Sequence, residues 1–180
     1  EWLHDGRVDI AVLYEAARMD GMVTELMLEE ELVVIWPRGQ DRPRAISLSD
    51  FEEIAMVLPS QAHGLRMLVD AALDSYGIIP KVTVEIDSYT NIKDLVAAGY
   101  GASILPFHAV RGETFSGALG ISRIAGPELW RRAQLVYSST RPITRVQEAI
   151  LTLLREVIGS LLDTGAWSAA RRPSASAKSD

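Results

Sequence analysis

An α/β fold follows from a grammar that recurs along the chain: apolar strand, hydroxyl-capped helix, tight glycine turn, second apolar strand. Residues 81–107 spell it in full. Val82, Val84 and Ile86 alternate with Lys81, Thr83 and Glu85, the period-two pattern of a half-buried strand. Ser88 or Thr90 then offers a hydroxyl to the free N–H groups of a first helical turn. Ile92, Leu95, Val96 and Ala98 follow at helical spacing, and Gly99 stands where a left-handed C-terminal residue is wanted. Gly101 closes the turn, and residues 102–105 form an apolar run that Pro106 ends. Strands alternating with helices in this way call for mostly parallel pairing.

The other elements read in order. Residues 1–3 look like a helix end stopped by Asp5-Gly6, and residues 8–13 form a β-branched and aliphatic run suited to a strand buried on both faces. Tyr14 and Glu15 sit at its C-terminal end, where ligands collect in open parallel sheets. Residues 25–36 are strand material, with Glu29-Glu30-Glu31 as a turn or solvated bulge. Ser49 and Glu52 have capping-box spacing for a short helical turn over 50–53. Residues 54–58 give the next buried strand, after which Ser60 is placed to cap a helix with Leu65, Leu68, Val69, Ala72, Leu73 and Tyr76 as its apolar stripe. Residues 111–120 carry three glycines and read as a loop, followed by strands at 121–124 and 133–137. Thr144 and Gln147 form a capping box opening a last helix. Its stripe is Val146, Ala149, Ile150, Leu153, Leu154, Val157, Ile158 and Leu161. From residue 164 nothing is left to pack, so 164–180 is expected to be disordered.

Composition excludes several functions. The 180 residues are 48% apolar, with a net charge of −6 and no cysteine. That balance argues against a nucleic-acid surface, which needs clustered Lys and Arg. Without cysteine there is no disulfide framework, thiolate zinc site or thiol chemistry, a usage that fits a reducing cytoplasm. No stretch approaches the ~20 apolar residues of a membrane span, and the first residues lack an apolar signal region.

Positive signs of catalysis are missing. Gly99-Tyr100-Gly101 lacks the third glycine and following helix of a dinucleotide fingerprint. His4, His63 and His108 have no ligand-like spacing, so no metal is implied, and His63 reads as a first-turn helix residue. Ser103 sits in a buried strand rather than a nucleophile elbow, and no acid–base pair stands out. No cofactor and no enzyme activity are expected. What does stand out is two hydroxyl-bearing helix starts after buried strands, at Ser60 and Ser88. One reading makes both serines ordinary helix caps; the other makes these places anion sites, since free N–H groups there suit a negative charge.

The order and spacing of these segments resemble the effector-binding domain of LysR-type transcriptional regulators. The likeness rests on DGRVDIAVLY, LEEELVVIWP, LPSQAHGLRMLVD, the serine after a strand followed by LVAAGYGASILP at residues 95–106, and RPIT. It implies a two-lobed, periplasmic-binding-protein-like (type II) fold, with lobe I at 1–52 and 141–163 and lobe II at 53–140. The first lobe is expected to be incomplete. The resemblance further implies a small, acidic effector bound between lobes by Ser60, Gln61, Ser88, Tyr14 and Phe107. The partners it implies are a homodimer or homotetramer, with DNA contacts only through an N-terminal domain outside these residues. A solute-binding protein for transport, sharing the fold, is the alternative.

Overall fold

Two compact units make up the computed structural model, which describes residues 2–39, 42–126 and 128–173. The strands are β1 (Ile10–Tyr14), β2 (Met22–Pro37), β3 (Ala45–Ser47), β4 (Ala55–Leu58), β5 (Lys81–Glu85), β6 (Ser103–Pro106), β7 (Leu119–Ala125), β8 (Trp130–Ser138) and β9 (Ala170–Arg171). The helices are α1 (Gly64–Asp74), α2 (Tyr89–Ala97), α3 (Phe107–Phe115) and α4 (Arg145–Asp163), with a 3-10 turn at Leu48–Glu53. Unit 2 is residues 31–131, and unit 1 is the chain on either side of it. The sequence reading put the boundaries at 52/53 and 140/141. The units instead part inside two long strands, β2 and β8, because a strand can leave one sheet and enter another without a loop.

In unit 2, β4 and β5 pair in parallel with Leu58 opposite Glu85, and a parallel Met56–Ala102 bridge joins β4 to the start of β6. β2 is antiparallel to both β6 and β7, and β3 is parallel to β7. Every described strand of unit 2 except β2 therefore points the same way, as the alternating grammar requires. Val33, Val34, Ile35, Met56, Val57, Leu58, Ile104 and Leu105 are buried in this sheet. α1 contributes Leu65, Val69 and Leu73 to the same core, and α2 contributes Ile92 and Val96. Gly101 has a physical reason: its φ is +152°, and a Cβ there would lie 2.5 Å from the Ala55 carbonyl oxygen. No larger residue lets β6 enter beside β4.

Unit 1 is antiparallel. β1 pairs β8 with Tyr14 opposite Ala133, and β9 pairs β2 at Glu29 and Glu30. Leu28, Ala133 and Ile158 form a small core, with Trp167, Ala170 and Leu162 against it. β1 is half exposed rather than buried on both faces, with Val12 46% and Tyr14 40% accessible.

Four further expectations are corrected. Glu29, Glu30 and Glu31 are buried in the middle of β2, each with a partner. Arg171 Nε donates to Glu29 at 2.7 Å, Trp167 Nε1 to Glu30 at 2.7 Å, and Arg123 to Glu31 at 2.6 and 2.9 Å. Those partners lie far away in sequence, so local composition read as solvation. The same contacts overturn disorder for 164–173, which packs through Trp167 and β9; residues 174–180 lie outside the described residues. The stretch taken as a loop over 111–120 begins inside α3. Only Val110 of that helix is buried and Gly112 interrupts it, so it carries almost no periodic signal. The short turn near residue 50 is capped two residues earlier than expected, by a box of Ser47 and Asp50.

α4 keeps its Thr144–Gln147 capping box but turns its stripe differently. Leu151 is 3% accessible, whereas Val146, Ile150, Leu153 and Val157 are exposed. Leu151→Ala should therefore cost about 2–5 kcal/mol by loss of a buried side chain. Leu153→Ala should stay within about 0.5 kcal/mol. Urea unfolding of both variants checks this, and equal losses would show the helix faces to be misassigned.

Candidate functional site

Three parallel strands of unit 2 end on one edge and each hands the chain to a helix: β4 to α1, β5 to α2, β6 to α3. The Ile86 N–H donates to the Leu58 carbonyl at 3.0 Å, holding the first two exits side by side. Helix starts leave backbone N–H groups without helical acceptors, so this edge is rich in donors. Ser60 and Gln61 follow β4, Ser88 follows β5, and Phe107 is the first residue of α3. Four of the five expected contact residues thus share an edge. Tyr14 belongs to unit 1, at the end of β1.

The residues play different parts. Ser88 is the N-cap of α2, its hydroxyl accepting from the Asn91 N–H at 3.4 Å. Ser60 does not cap α1. That position is His63, whose Nδ1 accepts from the Leu65 N–H at 3.1 Å. His63 is thus one residue outside the first turn expected for it. The amide that reaches the imidazole is that of Leu65, the second residue of α1, which leaves Ser60 too far upstream to cap it. Ser60 turns to Asp87 instead: its N–H donates to Oδ1 at 2.9 Å and its Oγ to Oδ2 at 3.1 Å. These bonds, the backbone one foremost, hold the exposed Asp87 carboxyl below its ordinary value of 3.8. Gln61 is exposed, and Phe107 is half-buried against the core.

Sequence reading missed the side chains that shape this edge. Arg66 is buried: Nη1 donates to the Pro59 carbonyl at 3.1 Å and to Glu85 at 2.8 Å, and Nε to Asp70 at 2.8 Å. Burial works against its charge, but Asp70 and Glu85 outweigh it and hold the guanidinium above its ordinary range. Its spacing was the available signal, since 66, 69 and 73 fall on one helical face beside the apolar stripe. The Tyr89 ring lies 5.9 Å from His63, and its hydroxyl accepts from Arg131 Nη1 at 3.2 Å. Arg131 is buried at the start of β8, distant in sequence from everything it serves. Among the described residues no group of acidic and imidazole side chains could hold a metal ion, and no helix is long and apolar enough to cross a membrane.

Residues 1–159 match the family model described as LysR substrate binding domain. The chain is 28% identical over 163 residues to the nitrogen assimilation regulatory protein nac of Escherichia coli K12, covering 89% of this chain and 52% of that protein. It thus spans about half the length of this curated relative. Among solved structures, the effector binding domain of QuiR in complex with shikimate superposes with a TM-score of 0.78 at 20% identity, covering 88% of this chain and 76% of that one. The Synechocystis PCC6803 CcmR regulatory domain in complex with 2-PG gives 0.76 at 22% identity, covering 87% and 76%. These likenesses establish the mixed α/β fold of such regulatory domains.

The Asp87 geometry sets a pH dependence. A carboxyl whose folded pKa is depressed adds stability above its unfolded pKa, and that stability is lost as pH falls through the folded value. The stability difference between the native protein and Asp87→Asn should therefore hold steady above about pH 5 and shrink below about pH 4. Urea unfolding from pH 2.5 to 7 measures it, and a difference unchanged down to pH 2.5 would contradict the assignment.

Proposed function

This chain belongs to the LysR substrate-binding domain family, and on that premise we propose that it senses a small acidic metabolite for an oligomeric transcriptional regulator. The observation carrying this is the shared edge at the ends of β4, β5 and β6, with Ser60, Gln61, Ser88 and Phe107 along it. Shikimate, a carboxylate named with one solved neighbour, supports an acidic ligand, and the regulator name of the relative supports sensing over transport. With a net charge of −6, contact with DNA falls to a part of the regulator outside residues 1–180.

The experiment is a thermal-shift screen of small carboxylates, shikimate first, followed by affinity measurements on two variants. Ser88→Ala should cost about 1 kcal/mol of stability as a lost cap. It should also weaken the best ligand roughly ten- to a hundredfold through a lost charge-assisted hydrogen bond. Ser47→Ala, which removes the cap of the 3-10 turn, should cost similar stability and leave affinity alone. No stabilising carboxylate, or equal affinity changes in the two variants, defeats the reading.

A further inference from the structure

We propose that Asp87 is a specificity-determining residue, an internal carboxylate that fills the two Ser60 donors and so bars a ligand's acidic group from that half of the edge. The proposal rests on the reading of this edge as the effector site and refines what the site accepts. Ser60 has one N–H and one O–H to give, and both go to Asp87, at 2.9 and 3.1 Å. A carboxylate or phosphate arriving at Ser60 meets no open donor and a like charge beside it. Asp87 is exposed, so no packed side chain holds it there. The two hydrogen bonds to Ser60 do, and they favour its ionised form.

The acidic group of the effector must then be received elsewhere on the edge. The start of α2 at Ser88 carries helix amides that make no bond to Asp87. The effector is thereby oriented, with its anionic end toward α2 and a neutral, hydrogen-bond-donating or cationic portion toward Asp87, which is exposed and has acceptor capacity beyond its two bonds to Ser60. An acid charged at both ends does not fit this pattern. Neither Asp87 nor its pairing with Ser60 follows from helix capping, since α1 is capped by His63.

Inorganic phosphate is the test probe, followed at the Ser60 amide by nuclear magnetic resonance at pH 7. In the native chain the Ser60 resonance should stay unmoved by phosphate. In Asp87→Ala, which removes the charge and frees both donors, it should move saturably, and phosphate should bind there at least tenfold tighter than in the native chain. Asp87→Asn, whose amide oxygen still accepts from the Ser60 N–H but carries no charge, should show a smaller gain. A native Ser60 amide that titrates like the variants, or variants as silent as the native chain, overturns the proposal. The function reading fails separately: if no carboxylate stabilises native protein or variant while the phosphate contrast stands, Asp87 guards Ser60 but the edge is not an effector site.

Discussion

One buried guanidinium sets the geometry on which the candidate site depends. Arg66 reaches from the first turn of α1 to the Pro59 carbonyl, to Asp70 on its own helix and to Glu85 at the end of β5. Those contacts fix where β4 ends, how α1 begins and where β5 releases the chain toward Asp87 and Ser88. Carboxylates on two sides outweigh the cost of burying the charge, and the carbonyl takes a further donor that apolar packing cannot satisfy. Leucine at this place would fill the volume but leave the turn after β4 without its anchor.

From that anchor the site follows by short steps. Pro59 held in place presents the Ser60 N–H and hydroxyl toward the neighbouring exit, where Asp87 receives both. Ser88, one residue on, caps α2. His63 caps α1 and lies beside Tyr89, which Arg131 reaches from the start of β8. The edge is thus a set of donors partly taken up by the chain's own groups, and the proposed selectivity lies in which donors remain open.

How much of this was legible in the sequence depends on the range of each interaction. Ser88 was readable because a cap and its helix are adjacent. Strand alternation in β5 and the apolar run of β6 were readable for the same reason. Ser60 was misread because a hydroxyl after a strand has two possible duties, and the choice was made by Asp87, 27 residues away. The burial of Glu29, Glu30 and Glu31 depended on Arg171, Trp167 and Arg123, and no window around residues 29–31 contains them. α3 failed as a prediction for a different cause: with Val110 alone buried, it is held by the strands it connects rather than by its own pattern.

Arg66 holds this edge as a unit, and amide hydrogen exchange of Arg66→Met puts that to the test. Methionine fills much of the same space without donors. Exchange should quicken at the Ser60 and His63 amides and at the start of α2, with unit 1 amides unchanged. Unaltered protection at Ser60 and His63, or loss spread evenly over both units, would contradict it.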